Sequence, residues 1–362
     1  MTTSKKQTAG ICAILGSGET TDLGRRVLSR ILPQLEEPRT IAVLDTPAGF
    51  QPNHIQVAEK IVRLFTEKLA EFRPHPTIVE ARRATLDTTV GAMALATLAR
   101  AACIVAGPGS PSYMVRELEH TPYLDAIRQG HANGAAIYVS SAAAIALSTF
   151  SLPVYEIFKA GQYLHWMAGL DFFAPFGMCL AIVPHWNNRE GGAAVDTHFC
   201  YMGKTRFEEL RSLLPSEMVV LGIDEHTACI LDFATDTVSV EGKGGVHLLR
   251  DGQILEWLSG DTFSVSLLQG NAQAIQPSGP SFTESADSLP SRATTLDSDT
   301  KEEAESAAIP PTLIDAVLAV RAELRRMQHW TLADQLRDAL AACGIVVEDT
   351  PTGSQWHVAE ME

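Results

Sequence analysis

Residues 134–150 read GAAIYVSSAAAIALSTF. The apolar run from Ala135 to Val139 suits a buried strand, two serines follow at once, and the alanine-rich segment after them suits a helix. A tight turn from strand into helix is the geometry that holds a nucleophilic serine out of a sheet. The small side chains of Ala142, Ala143 and Ala144 permit close backbone approach, and the Ala142 amide at the helix start is placed to stabilise an oxyanion. The same residues also fit a plain helix capped by Ser140 or Ser141, because serine is a favoured N-cap.

A nucleophilic serine needs a base, and the base needs an orienting group. In PHWNN, 184–188, His185 directly follows the apolar run 179–183 and sits in a polar loop, where an imidazole can take a serine proton. His198, in DTHF, is an alternative base of the same type. In LGIDEHTA, 221–228, Asp224 and Glu225 follow another apolar run, and a carboxylate there can hold a histidine in register. Two glycine turns, LGSGET at 15–20 and GPGSPSY at 107–113, can face backbone amides toward a ligand. Pro108 has no amide hydrogen, so the donors in the second turn are Gly107 or Gly109. Each motif also has a plainer reading: an ordinary turn, a surface histidine or a solvated acidic loop.

The elements that must position these groups can be read from periodicity. Strands are expected at 11–15, 40–45, 103–106, 135–139 and 179–183, with short strands and turns at 218–223, 229–232 and 237–240. Helical spacing covers 52–72, with Ile55, Ala58, Val62, Phe65 and Leu69 on one face, and helices are also expected at 123–131 and 205–214. Alternating strands and helices predict an α/β fold with a mostly parallel sheet covered on both faces. Ligands of such sheets bind beyond the carboxyl ends of the strands, where the candidate residues all fall.

The chain has 362 residues and a net charge of −15. That balance argues against a general nucleic-acid or membrane-surface binder, which carries a basic face. The six cysteines form no CxxC pair, so neither a zinc site nor a disulfide framework is indicated. Buried thiols in a reducing cytoplasm account for them. MTTSKKQTAG lacks the apolar core of a signal peptide and no apolar stretch reaches the length of a membrane span, so a cytoplasmic protein without membrane association is expected. From 271 the sequence turns rich in Ser, Thr, Pro, Gly and acidic residues, which predicts a disordered linker over 271–309 after an α/β domain at 1–270. Helical patterns return at 312–328 and 331–343, ended by Gly344, and define a helical module at 310–362.

In chain order, the turn at 107–110, the serine segment at 140–144, the loop at 183–186 and the loop at 222–225 resemble the S51 serine peptidases, the family of dipeptidase E and cyanophycinase. The resemblance implies a flavodoxin-like fold similar to class I glutamine amidotransferases. It places the nucleophile at Ser141 in Ser140-Ser141-Ala142-Ala143-Ala144 and the base at His185 in Val183-Pro184-His185-Trp186. The acid falls at Glu225 in Gly222-Ile223-Asp224-Glu225, and the oxyanion and substrate turn at Gly107-Pro108-Gly109-Ser110. An acidic residue in the region of Glu156 makes that side chain a second candidate acid, or a contact for a substrate amine. Ala143 stands where the family has a glycine, the arginine-rich stretch of cyanophycinases is missing, and 189–204 lengthens the loop between base and acid. The implied activity is hydrolysis of a peptide or small amide other than cyanophycin, with no cofactor or metal.

The stretch HWTLADQLRDALAACGIVVEDTPTGSQW resembles the C-terminal segment of cysteinyl-tRNA synthetases, through Ala333, Asp334, Arg337, Asp338, Leu340, Gly344, Ile345, Asp349, Thr350, Gly353 and Trp356. Its expected core is Leu336, Leu340 and Ile345. No HIGH-like or KMSKS-like signature accompanies it in 1–270, so a synthetase is not implied. The module implies a tRNA or protein partner through 310–362. Two other readings stand beside the hydrolase: a non-catalytic binding protein on the same fold, and an RNA-associated factor.

Overall fold

The computed structural model describes residues 9–250 and 252–269, the segments 345–350 and 353–358, and single helical positions between 314 and 341. The chain divides into two compact units, Met1–Ser285 and Ala286–Glu362. The expected linker at 271–309 lies outside the described residues.

The first unit begins with alternating elements: β1 (Cys12–Leu15), α1 (Asp22–Ile31), β2 (Thr40–Leu44), α2 (His54–Arg63), β3 (His75–Val79), α3 (Thr89–Leu98), β4 (Cys103–Ala106), α4 (Pro111–Leu118), α5 (Pro122–Ala132), β5 (Ala136–Ser140) and α6 (Ser141–Ala146). The short strands β6 (Phe150–Ser151) and β7 (Met167–Ala168) flank α7 (Val154–Phe158). There follow β8 (Leu180–Val183), α8 (Gly203–Ser212), β9 (Val219–Ile223), β10 (Thr227–Asp232), β11 (Thr237–Gly242), β12 (Gly245–Arg250), β13 (Gln253–Leu258) and β14 (Thr262–Ser264).

Eight strands form the main sheet in the order β14-β11-β10-β1-β5-β4-β2-β3. From β1 to β3 every neighbour pair is parallel, while β10, β11 and β14 extend the β1 edge antiparallel. Strands β1, β5, β4 and β2 are apolar at nearly every position because both faces are covered, while the edge strand β3 is part-exposed. Cys12, Ile14, Ile137 and Val139 join one core with α3, α4, α5 and α6, whereas Ala13, Leu15, Ala136 and Tyr138 join another with α1 and α2. A second sheet, β13-β12-β9-β8, has one parallel pair, β8 with β9. This is the mostly parallel, two-faced α/β architecture that the alternation predicts. Among the described residues no helix is long and apolar enough to cross a membrane.

In the second unit β15 (Ile345–Thr350) pairs antiparallel with β16 (Gly353–Val358). Ile314, Leu318 and Ile345 form a small core, with Leu340, Val347 and Trp356 packed against it. Leu340 and Ile345 therefore lie where the sequence puts them, and Leu336 lies outside the described residues. The helical pattern stops at Gly344, and the structure continues the module as a hairpin.

The turn after β4 is set by backbone contact. Ser110 donates its amide to the Pro47 carbonyl at 2.8 Å, and a Cβ on Gly109 would meet that same oxygen at 1.9 Å. Only glycine permits this approach. Gly109→Ala must therefore displace the turn after β2 or its own. Overpacking of this kind costs roughly 1–3 kcal/mol, so urea unfolding will show a lowered midpoint with an unchanged slope.

Candidate active site

Four strand ends supply the site. β5 hands directly into α6 at Ser141, whose φ of 49° is left-handed. A residue with a Cβ adopts that conformation at a cost of roughly 1–2 kcal/mol. The turn is held from behind, because the Ala143 amide bonds the Gly107 carbonyl at 3.3 Å and Ala142, Ala143 and Ala144 are all buried. Ala143 is not among the positive-φ residues, so its methyl packs into the core without strain. Ser140 occupies the N-cap position but its side chain makes no capping bond. The plain capping reading of the two serines is not what the structure has.

β8 and β9 run parallel with Val183 opposite Gly222, so the residues just beyond them come out side by side. His185 Nε2 lies 2.9 Å from Ser141 Oγ, and His185 Nδ1 lies 2.9 Å from Glu225 Oε1. With Nδ1–H donating to the carboxylate, Nε2 is left to accept the serine proton. Asn188, fully buried, donates Nδ2–H to the same Glu225 oxygen at 2.9 Å, and the Glu225 amide donates to Asn187 Oδ1 at 2.8 Å. The two asparagines of PHWNN thus grip the acid from both its side chain and its backbone. Sequence reading used only the histidine of that segment, although two adjacent amides beside it were the available signal.

The His185 loop is pinned on its far side. Trp186 donates its amide to the Ile223 carbonyl at 3.1 Å, and its ring stacks on His247 with centroids 5.3 Å apart. A Cβ on Gly222 would lie 2.4 Å from the Trp186 ring, so this glycine gives the ring its seat. Phe199, Cys200 and Tyr201 have φ of 55°, 55° and 68°, three left-handed residues in a row. Amides of this turn bond back to the loop, Phe199 to the Trp186 carbonyl at 2.9 Å and Cys200 to the His185 carbonyl at 3.2 Å.

The other candidates separate. His198 pairs with Asp196 at 2.6 Å, not with Ser141. The Lys204 amide, followed by the His198 ring and amide, holds the Asp196 carboxyl down at about 2. Asp224 faces the second sheet, accepting the Gly245 amide at 2.9 Å and lying 3.1 Å from His247 Nε2. Glu156 accepts a hydrogen bond from Ser112, not from His185. Ser110 caps α4, its Oγ accepting from the Tyr113 amide at 3.2 Å and lying 2.9 Å from Ser112 Oγ. Gly107 serves the elbow through its carbonyl.

A cavity of about 360 Å³ opens beside Ser141 and His185, lined also by Gly109, Ala142, Tyr155 and Tyr201. It is large enough for a small ligand, since such sites run from roughly 300 to 1,000 Å³.

The first unit has an α/β fold that is also found in a solved peptidase. It is similar to the crystal structure of a peptidase from an acI-B1 Actinobacterium, with a TM-score of 0.58 and 19% sequence identity over 72% of this chain and 98% of that one. Residues 311–356 match a family model described as the cysteinyl-tRNA ligase anticodon binding domain. The cysteine–tRNA ligase of Thermococcus onnurineus (strain NA1) is 54% identical over 44 residues, 12% of this chain and 9% of that protein. The ligase of Beutenbergia cavernae is 50% identical over 46 residues, 13% of this chain and 10% of that protein. The chain spans about a tenth of the length of these curated relatives.

The hydrogen bond from His185 holds the Glu225 carboxyl below its ordinary value of 4.5, partial burial opposes it, and Asn188 adds to the lowering. A depressed carboxyl contributes stability that is complete above the unfolded value and lost as pH falls through the folded one. The stability difference between the wild type and Glu225→Gln should therefore shrink as pH falls from about 6 to about 3 in thermal unfolding.

Proposed function

We propose that the first unit is a serine hydrolase that cleaves an amide bond of a peptide or small molecule through an acyl-enzyme. The observation that carries this reading is the continuous hydrogen-bonded line from Ser141 through His185 to Glu225 at the wall of a cavity, with the serine on a strained elbow. Ser141 Oγ attacks the carbonyl carbon while its proton passes to His185 Nε2. Glu225 accepts from Nδ1–H throughout and stabilises the imidazolium. The amides of Gly109 and Ala142 hold the oxyanion, a donor of this type being worth roughly 3 kcal/mol. The tetrahedral adduct collapses as His185 returns the proton to the leaving amine. Water, deprotonated by the same imidazole, then releases the acid.

A reducing, cytoplasmic setting is part of this reading, supported by Cys12, Cys103, Cys179, Cys200 and Cys229, all buried thiols without a disulfide. Fluorophosphonate labelling tests the chemistry. Wild type labels at Ser141, Ser141→Ala does not, and amide turnover in the variant falls by about 10³-fold or more. Absence of labelling in the wild type favours the non-catalytic binding reading.

The match over 311–356 favours a second role, contact with tRNA through the C-terminal unit. In a gel-shift assay at about 50 mM salt, the full chain should retard tRNA and a chain ending at residue 308 should not. Equal behaviour of the two removes that role and leaves a protein partner for the unit.

A further inference from the structure

The cavity beside Ser141 has an ordered wall. The Tyr201 ring lies 6.0 Å from the His185 ring, and the Phe158 ring lies 5.2 Å from Tyr201. Lys159 Nζ sits 5.2 Å from the Phe158 centroid. All four side chains line the same cavity, with Ile145, Val154 and Tyr155 adding apolar surface. By neighbouring contacts the wall therefore runs from imidazole to two aromatic rings to a cation.

The charges around this wall are not equivalent. Glu190 also lines the cavity, and its Oε2 accepts the Tyr201 hydroxyl at 2.8 Å, which fixes the ring. Arg206 lies 6.0 Å from the Phe158 centroid, but its guanidinium donates to the Met202 and Tyr201 carbonyls. Glu156, on the same helix as Phe158, accepts from Ser112. Among the described residues Lys159 faces no carboxylate at ion-pair distance. It is a cation held over an aromatic face at the cavity wall, in a chain of net charge −15.

We propose that this cavity selects an amide substrate with an aromatic or large apolar side chain beside the scissile carbonyl and a carboxylate beyond it. The side chain lies on Tyr201 and Phe158, and the carboxylate pairs with Lys159. The proposal rests on the hydrolase reading for its scissile bond, while ligand selection by the wall can be measured without turnover. An acidic side chain in the same place meets apolar rings and the Glu190 carboxylate. A cavity of about 360 Å³ holds one or two residues around the cleaved bond.

The test is calorimetric titration of the full-length Ser141→Ala protein with N-acetyl-Phe-Ala, its C-terminal carboxamide, N-acetyl-Asp-Ala and N-acetyl-Phe-Asp-amide. N-acetyl-Phe-Ala or N-acetyl-Phe-Asp-amide should bind about tenfold tighter than the neutral carboxamide, as for one charge-assisted contact. Which of the two does so tells whether a terminal or a side-chain carboxylate is read. That advantage should vanish when Lys159→Gln is added, and N-acetyl-Asp-Ala should bind more weakly than N-acetyl-Phe-Ala. Equal affinities for acid and amide, a preference that survives Lys159→Gln, tighter binding of the Asp ligand, or no binding at all would each overturn the proposal. Fluorophosphonate labelling of the wild type reports separately on the hydrolase reading. Labelling without the carboxylate preference sinks the proposal alone, and the preference without labelling sinks catalysis alone.

Discussion

The left-handed backbone at Ser141 is the constraint around which the first unit is arranged. A φ of 49° on a residue with a Cβ is unfavourable by itself, and it persists because the surroundings leave no alternative. β5 is flanked by β1 and β4, so its end cannot shift along the sheet. α6 starts immediately and is built from alanines that bury against the core. The Ala143–Gly107 hydrogen bond closes the turn from the β4 side. Strain of this size is small beside the apolar burial of the surrounding core, so the sheet can impose it.

The same logic holds the imidazole. His185 has a φ of 50°, and its neighbours fasten it from three directions: Trp186 to Ile223, Cys200 to the His185 carbonyl, and Asn188 to the acid that holds Nδ1. A histidine so restrained keeps one ring nitrogen toward the serine and the other toward the carboxylate. Glu225, bound through both backbone and side chain, keeps its charge because its lone pairs are occupied by donors.

Much of this was legible from residue order alone. The strand at 103–106 and the apolar runs ending before His185 and Glu225 are short, β-branched and bounded by turn residues, and those are strong signals. Other elements left no comparable trace. α3, TVGAMALATL, is apolar almost all round and shows no face, and β13 exposes Ile254, Leu255 and Leu258, so its pattern does not alternate. At the site, loop polarity alone did not rank the two histidines, and only the family resemblance put His185 ahead of His198. What separates His185 from His198 is the β8–β9 register, a pairing between segments with α8 between them. Asn187 and Asn188 were visible as adjacent amides, but an asparagine in a loop looks solvated until its neighbours bury it.

The left-handed turn at Phe199–Tyr201 has a consequence for how this enzyme-like site can change. One backbone segment carries the Tyr201 ring of the cavity wall and also hydrogen-bonds the carbonyl of His185. The adjoining part of the wall, Phe158 and Lys159, belongs to α7 and its C-cap, which make no such bond to the histidine. Change at Lys159 therefore leaves the backbone that holds His185 untouched, whereas change at Phe158 also reaches the Tyr201 ring it packs against. The Tyr201 side is locked, because any insertion or deletion there moves the imidazole along with the pocket.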